Sequence, residues 1–251
     1  MALQEEFEKQ GIWLFKHRSY LPLIILLIGY ILYLRTEIKP GTFFLEETPY
    51  EIYYEMFCLL VSLIGLSIRV YTVGHTPKNT SGRNTKEGQI ADQLNTSGLY
   101  SIVRHPLYLG NFFMWMGPAM LTANLWFIIV FCLLYWIYYE RIMFAEEQFL
   151  RKKFGDRFLE WSKNVPAFIP KFKKFVKPDS PFNWKKVLKK EKNGLIALFF
   201  IFFVFDFSGE IVEKETHFNY FILIACILIG LGYIVLEFLQ KRTRFLNEND
   251  K

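Results

Sequence analysis

Two short polar stretches carry the residue types that could do chemistry in this chain. The first covers residues 100–111 and contains Arg104 and His105 directly before Pro106. A proline has no N–H donor and suits the first turn of a helix, where that donor would have no partner. A helix N-terminus aimed at a polar pocket can hold an anion or a carboxylate. The stretch therefore predicts a site at the point where a polar loop enters an apolar helix.

The second stretch contains Glu140-Arg141 and, a little further on, Glu146-Glu147. Arg141 and Glu146 are roughly 140° apart around a helix and about 7.5 Å apart along it. Helical salt bridges join residues three or four positions apart, so this spacing does not predict one. One of the two side chains could face one ligand while the other faces a second. The simpler interpretation is a helix end with mixed charges at the membrane interface.

Simpler interpretations also exist for the other charged and titratable residues. Arg104 could snorkel toward lipid phosphate, and His105 could be satisfied by a backbone carbonyl. Glu55 and Arg69 lie near the two ends of an apolar block, and snorkelling explains both. The Lys-rich stretch between residues 140 and 192 is expected to form a solvated face on anionic membrane lipid.

The elements that must position these residues are apolar blocks. Of the 251 residues, 52% are hydrophobic and 19% are aromatic. The blocks approach the roughly 20 residues that a helix needs to cross a bilayer, and they lack the alternation of barrel strands. The sequence predicts an all-α integral membrane protein with about six transmembrane helices. The predicted spans are 20–34, 52–73, 107–121, 125–139, 195–207 and 220–239.

The charge pattern predicts how these spans are oriented. The net charge of +6 could suggest nucleic acid, but the basic residues lie beside apolar blocks. Cytoplasmic loops are rich in Lys and Arg, so orientation in a membrane explains the charge without nucleic acid. The rule places both termini, the loop 74–103 and the stretch 140–192 in the cytosol. The short link at 122–124 predicts an antiparallel helical hairpin.

Several classes of site find no support in the sequence. There is no G-x-G-x-x-G after a strand, no P-loop, no H-E-x-x-H and no G-x-S-x-G. The three cysteines lie inside apolar blocks and the four histidines are widely spread, so we predict neither disulfides nor a metal site.

A set of motifs over residues 88–170 forms a recognisable pattern. It consists of G-L-Y at 98–100, R-H-P-L-Y-L-G at 104–110, Arg141 with Glu146-Glu147, Leu150, Phe154-Gly155, and the segment from Pro166 to Pro170. This set resembles the superfamily of isoprenylcysteine carboxyl methyltransferases and phospholipid methyltransferases. It suggests three parts: N-terminal helices with a cytosolic loop (1–87), a methyltransferase core (88–170), and a basic segment with two extra helices (171–251).

The resemblance implies an enzyme that binds S-adenosylmethionine on the cytosolic side, in a tunnel-like pocket without a Rossmann fold. It implies that Arg141 faces the methyl acceptor, with Arg104 as a second catalytic candidate. The cofactor contacts that it implies are Leu94, Asn95, Tyr100, His105, Pro106, Leu107, Tyr108 and Glu146.

The chemistry of methyl transfer agrees with these residue types. In-line displacement at a sulfonium needs alignment and a desolvated pocket more than a proton shuttle. An ionised Glu146 could bind the ribose hydroxyls or the ammonium, and Tyr100 and Tyr108 could stack on the adenine or lie near the sulfonium. An anionic acceptor needs no general base, but it needs a cation such as Arg141 to position it.

The loop at 74–85 suggests which acceptor is used. It is rich in hydrogen-bond donors, which suits phosphate or sugar. Together with residues 94–98, it resembles a bacterial branch of the superfamily associated with methylating the 1-phosphate of lipid A. Arg83 and Asn84 are therefore predicted to bind a lipid substrate in the cytosolic leaflet of a bacterial inner membrane. A polar surface loop is the simpler alternative.

Three other functions remain open. The acceptor could be an isoprenylcysteine carboxylate or a phospholipid amine. The chain could also be a steroid-reductase-like membrane enzyme that uses NADPH, because those proteins carry a similar R-H-P-x-Y-x-G piece. They typically have Glu after that glycine, where this chain has Asn111. A non-catalytic membrane scaffold is the third possibility. The extra C-terminal helices could widen the wall against a multi-chain lipid, or form a dimer.

Overall fold

The computed structural model describes residues 2–38, 48, 50–77, 80, 91–213 and 219–243. Within these ranges the regular structure consists of helices, joined by two short 3₁₀ turns and one isolated bridge between Gly98 and Val176. The α-helices are α1 (Leu3–His17), α2 (Leu21–Ile38), α3 (Glu51–His75), α4 (Pro106–Leu121), α5 (Leu125–Phe154), α6 (Asp156–Asn164), α7 (Trp184–Glu213) and α8 (Tyr220–Arg242).

The predicted all-α membrane fold is confirmed, and each of the six predicted spans coincides with a helix. In the described part of the chain, α3, α5, α7 and α8 are long and apolar enough to cross a membrane. The bent pair formed by α1 and α2, with an angle of 67° between them, would make a fifth crossing if it counts as one span. α4 has 16 residues, fewer than the roughly 20 that a helix needs to cross a bilayer. The number of six crossings therefore stays a prediction.

Two helices extend well beyond the predicted spans. α5 continues past residue 139 to Phe154, because the charged residues that follow the apolar block are good helix formers. It ends where Gly155 adopts a positive φ of 52° and donates to the carbonyl of Arg151 at 3.0 Å. α7 begins at Trp184, so much of the Lys-rich stretch is helical.

The prediction of a solvated basic face is wrong for two of these lysines. Lys186 is 2% exposed, and its ammonium donates to the backbone carbonyls of Thr76 and Pro77 beyond the end of α3. Lys192 is buried against Glu237 of α8. Both lysines therefore join α7 to neighbouring elements, which offsets the cost of removing their charges from water.

α3 and α4 pack closely because glycines face each other. A Cβ atom built at Gly65 would lie 2.4 Å from the carbonyl oxygen of Gly110. Such a contact is closer than any side chain allows, so the two backbones meet only without side chains at this point. Gly110 is the last residue of the R-H-P-L-Y-L-G motif, and this close approach is a physical reason for it.

The helices bring their charged ends together at one end of the bundle. The backbone N–H of Asn183, just before α7, donates to the carbonyl of Gly74 near the end of α3 at 2.8 Å. At the other end, Asn219 before α8 donates to Glu55 near the start of α3 at 3.2 Å. The predicted α4–α5 hairpin is also present there, with Asn124 capping α5. The start of α4 and the polar end of α5 therefore share the end where α3 stops and α7 begins.

Candidate active site

A cavity of roughly 590 Å³, a volume that includes open solvent, lies at the junction of α1, α5 and α6 with the loop before α4. Its wall combines charged, polar and aromatic side chains. The lining residues are Phe15, Thr80, Ala91, Gln93, Leu94, Asn95, Tyr100, Arg104, His105, Glu146, Glu147, Phe149, Leu150, Phe158 and Trp161.

The segment that follows α6 fixes the loop before α4. The backbone N–H groups of Arg104 and His105 donate to the carbonyls of Pro166 and Ala167, at 2.9 and 3.2 Å. Gly98 has a positive φ of 61°, which favours glycine, and its N–H donates to the carbonyl of Val176 at 3.0 Å. The proline-containing segment therefore determines where the first motif presents its side chains.

His105, Tyr108, Glu146 and Glu147 form one hydrogen-bonded cluster. The imidazole Nε2 lies 2.9 Å from Oε1 of Glu147, and Nδ1 lies 3.6 Å from Oε2 of Glu146. The hydroxyl of Tyr108 donates to the same oxygen of Glu146 at 2.8 Å, and its ring stacks on His105. The side chain of His105 is 4% exposed, whereas those of both glutamates are 23% exposed and reach the cavity.

Opposing effects act on the titration of His105. Burial alone lowers its pKa, because it disfavours the charged imidazole. The hydrogen bonds and negative charges of Glu146 and Glu147 act in the other direction and are stronger together, so the pKa of His105 is raised above its ordinary value of 6.5. The cluster therefore favours an imidazolium between two carboxylates.

Arg104 lies in the cavity wall, and its guanidinium contacts both α6 and α5. Its Nη1 donates to the carbonyls of Ser162 and Val165, at 2.9 and 3.2 Å. Its Nε lies 2.8 Å from Oε1 of Glu147, although the N–H is not aligned for a hydrogen bond. The snorkelling interpretation does not describe this residue, because its guanidinium holds α6 and α5 together.

Leu94, Asn95 and Tyr100 line the cavity from the loop. Asn95 donates to the carbonyl of Thr80 at 3.1 Å and also hydrogen bonds with Tyr100. Burial raises the pKa of the Tyr100 phenol, and the negative charge of Glu146 adds to the rise. The carbonyl of Tyr100 accepts from the indole of Trp161 at 3.2 Å. Tyr100 is therefore a neutral, fixed aromatic wall.

The remaining predicted residues lie elsewhere. Arg141 faces α1, where its guanidinium lies 3.4 Å from the ring centre of Phe7 and pairs with Glu140 at 3.1 Å. Pro106 and Leu107 begin α4 but are not part of the cavity wall. Arg83 and Asn84 lie outside the described residues. Arg141 and Glu146 thus lie on two sides of α5. The roles predicted for the residues of this paragraph stay predictions.

Sequence reasoning missed several residues in the cavity wall or next to it. Glu147 contacts both His105 and Arg104, and its position beside Glu146 was the available signal. Arg18 acts electrostatically on Glu146 and stacks on the ring of Phe15. Nothing in the spacing indicated that α1 folds back onto α5 to bring Phe15 and Arg18 there.

Taken together, the cavity suits a ligand that has a positive charge, hydroxyl groups and a flat ring. The two carboxylates can accept from hydroxyl or ammonium groups, and Tyr100 and Trp161 offer flat aromatic surfaces. In the described part of the chain no group of three or more His, Cys, Asp or Glu side chains has the arrangement of a metal site.

Comparisons with known proteins match the part of the chain that contains most of the residues in the cavity wall. The family described as phospholipid methyltransferase matches residues 54–157. No solved structure matches the chain significantly.

Among curated proteins, the protein-S-isoprenylcysteine O-methyltransferase of Schizosaccharomyces pombe is 40% identical over 78 residues, 31% of this chain and 33% of that protein. The cobalt-zinc-cadmium resistance protein CzcN of Cupriavidus metallidurans is 33% identical over 115 residues, 45% of this chain and 50% of that protein. The isoprenylcysteine O-methyltransferase of Xenopus laevis is 30% identical over 112 residues, 45% of this chain and 39% of that protein. The chain thus spans between 33% and 50% of the length of these relatives.

Proposed function

We propose that this chain belongs to the superfamily of phospholipid and isoprenylcysteine carboxyl methyltransferases, which its residues 54–157 resemble, and that it transfers a methyl group from S-adenosylmethionine to an anionic lipid headgroup. The observation that carries the proposal is one cavity shared by Tyr100, His105 and Glu146. Tyr100 and His105 belong to the first polar stretch and Glu146 to the second, and both stretches are part of the resemblance. His105 and Glu146 are 41 positions apart in the sequence.

The residues of the cavity fit S-adenosylmethionine. When bound, this cofactor supplies an electrophilic methyl group on a sulfonium. The carboxylate of Glu146, oriented by Tyr108 and His105, would hold its ammonium or ribose hydroxyls. Tyr100 would pack against the adenine or the sulfonium, because aromatic faces attract cations. Phe15 and Phe158 line the cavity beside these polar groups and limit the access of water.

An anionic oxygen as acceptor agrees with the charges around the cavity. The carboxylates of Glu147 and Glu146 are already hydrogen bonded to His105 and Tyr108, so an acceptor that needs no general base suits the site better than an amine does. A carboxylate or phosphate needs no such base. We propose that Arg141 holds this anion on the α1 side of α5, where its guanidinium now lies over Phe7.

A lipid as acceptor agrees with a second, apolar cavity. It lies between α2, α4 and α5 with a volume of roughly 530 Å³ that includes open solvent, and Tyr135 and Tyr139 belong to its wall. Tyr135 donates to the carbonyl of Tyr108 at 2.6 Å, so this apolar space borders the cluster that contains Glu146. A hydrocarbon chain in this space would lie beside the cavity that holds the cofactor.

The identity of the anion divides the proposal in two. A lipid A-type phosphate is the first candidate, and it is based on the donor-rich loop with Arg83 and Asn84, outside the described residues. An isoprenylcysteine carboxylate is the second, favoured by the names of the relatives. We further propose that the site faces the cytosol from a bacterial inner membrane, because the basic residues cluster at this end of the bundle.

Transfer of a labelled methyl group from S-adenosylmethionine tests the proposal. The purified protein would be assayed with lipid A, with a prenylcysteine and with phosphatidylethanolamine, and the products identified by mass spectrometry as a gain of one methyl group. We expect label on lipid A or on prenylcysteine and not on the amine. Arg141→Ala should abolish turnover and leave cofactor binding intact. Label on the amine, or equal loss of turnover and cofactor binding in Arg141→Ala, would contradict the proposal.

A further inference from the structure

An ion pair with a buried carboxylate joins the C-terminal helices to the region that matches the family. The guanidinium of Arg69 in α3 donates to both carboxylate oxygens of Glu191 in α7, at 2.7 and 2.8 Å. The side chain of Glu191 is 5% exposed. Arg69 lies inside the matched residues 54–157 and Glu191 lies outside them. Ionisable residues in membrane-spanning helices are costly, so a pair kept there suggests a function beyond snorkelling.

A line of hydrogen bonds leads from this pair into α4 and α5. Nη1 of Arg69 donates to Oδ1 of Asn111 at 2.5 Å. Nδ2 of Asn111 in turn donates to the hydroxyl oxygen of Tyr139 at 3.2 Å. Because a guanidinium has donors and no acceptor, the amide of Asn111 must direct its oxygen to Arg69 and its NH₂ group to Tyr139. The ion pair thereby fixes the orientation of a side chain on α4 and one on α5.

Packed rings continue this line to the cavity. The ring of Tyr139 stacks on Tyr135 with centres 4.2 Å apart, and lies 4.9 Å from the ring of Tyr108. The hydroxyl of Tyr108 donates to Glu146 at 2.8 Å. All three tyrosines are buried. In so dense a stack, a displaced Tyr139 would shift Tyr108 and its hydrogen bond to Glu146.

Gly110 allows Arg69 to reach this position. A Cβ atom at Gly110 would lie 2.6 Å from Cγ of Arg69. The aliphatic stem of Arg69 therefore passes across the bare backbone of α4, one residue before Asn111. The glycine of the first motif thus serves both the helix packing and this arginine.

We propose that Arg69 is a positioning residue for the cofactor site and that Glu191 of the C-terminal helices holds it in place. Glu191 fixes the guanidinium, Arg69 fixes Asn111 and Tyr139, and these hold Tyr108 against Glu146. The C-terminal helix pair is then part of the framework of the site. This inference rests on the proposed function, since it assigns the network to the binding of S-adenosylmethionine.

A matched pair of variants, Glu191→Gln and Glu237→Gln, tests this role. Each change keeps the side-chain shape and removes a carboxylate partner from a cation between helices, the partly buried Arg69 in the first case and the buried Lys192 in the second. The first lies on the line to Tyr108, and the second lies between α7 and α8. The measurements are the dissociation constant of S-adenosylmethionine by calorimetry and the melting temperature in detergent.

We expect Glu191→Gln to weaken cofactor binding about three- to tenfold, the value of one misplaced hydrogen bond. Glu237→Gln should leave the affinity unchanged even if both variants melt at similarly reduced temperatures. Tyr139→Phe, which removes the hydroxyl that Asn111 contacts, should reproduce the loss. Its control is Tyr138→Phe, since Tyr138 donates instead to the carbonyl of Leu14 in α1. This second pair keeps the test valid if Glu191→Gln does not fold.

Two results would overturn the positioning role while leaving the proposed function standing. One is that Tyr139→Phe binds S-adenosylmethionine as tightly as the wild type, and that Glu191→Gln does so too if it folds. The other is an equal loss of affinity in the Glu191 and Glu237 variants, which would indicate a general effect of destabilising the helices. Absence of S-adenosylmethionine binding in the wild-type protein would instead remove the proposed function, and this assignment with it.

Discussion

Glu146 and His105 depend on each other in the wall of the cavity. The carboxylate accepts from Tyr108 and lies close to the imidazole, and the imidazole in turn contacts Glu147. A ligand that entered here would meet fixed groups rather than mobile ones, which is what alignment for methyl transfer requires.

Glu146→Gln should weaken the binding of S-adenosylmethionine about 10- to 100-fold, because the change removes a charged acceptor and keeps the side-chain volume. Calorimetry on the purified protein measures this effect. The control is Glu140→Gln on the same helix, whose side chain is 48% exposed and pairs with Arg141 outside the cavity. Unchanged affinity in Glu146→Gln, or an equal loss in both variants, would refute the role of Glu146.

The raised pKa of His105 predicts a pH-dependent stability. Because the folded protein holds this proton more tightly than the unfolded chain, the stabilisation is fully present below pH 6.5 and is lost as the pH rises through the raised pKa. The melting temperature of the wild type should therefore exceed that of His105→Asn most at low pH. Melting curves between about pH 6 and about pH 9 measure this difference. A difference that stays constant with pH would contradict the cluster of His105 with the two glutamates.

For individual residues, part of the site could be predicted from the sequence. Tyr100, His105 and Glu146 were expected to act together, and the structure brings them to one cavity. Arg141 was expected to face a different ligand from Glu146, and its side chain does leave on another side of α5. The contact with Phe7 could not be foreseen, because it depends on how α1 folds back onto α5. The sequence alone predicts snorkelling for Arg69, because its partner Glu191 is far away in the sequence.

Among the elements, α3 and α4 form the framework of the first motif. Their backbones meet at Gly65 and Gly110, and the same contact admits the side chain of Arg69. The position of α4, and with it that of His105 just before its first residue, therefore depends on this crossing.

Gly65→Ala should destabilise the protein by about 1–3 kcal/mol, because the added methyl group meets backbone atoms of α4. The control is Gly232→Ala in α8, where a Cβ atom meets nothing within 4 Å. That change should be neutral or slightly stabilising, since alanine favours helix more than glycine does. Thermal or denaturant unfolding in detergent compares the two. Equal effects of both variants would show that the α3–α4 contact does not limit stability.

The sequence predicted where helices exist better than where they end. Apolar length indicates the part of a helix that can lie in a membrane, and charged residues were used to end each span. In α5 and α7 the helix continues through such residues, because glutamate, lysine and arginine are themselves good helix formers. The residues beyond those expected ends include Glu146 and Glu191, so the predicted boundaries excluded the parts of the helices that matter most here.

For the whole molecule, the arrangement of the helices places the polar ends of α3, α4, α5 and α7 together. The apolar outer surface, with α8 largely exposed, suits a membrane-embedded protein. The region that matches the family supplies most of the cavity wall, and the C-terminal helices contact this region through Arg69 and Glu191. The sequence predicted this class of protein, but the contacts between distant helices required the structure.

The most direct test of the central claim is an experimental structure of the protein with S-adenosylhomocysteine, the product form of the cofactor. The account predicts that the nucleoside lies in the cavity beside Tyr100, with a polar contact to Glu146 and with His105 at its edge. A nucleoside bound elsewhere, or a cavity that takes up NADPH and excludes S-adenosylhomocysteine, would contradict it.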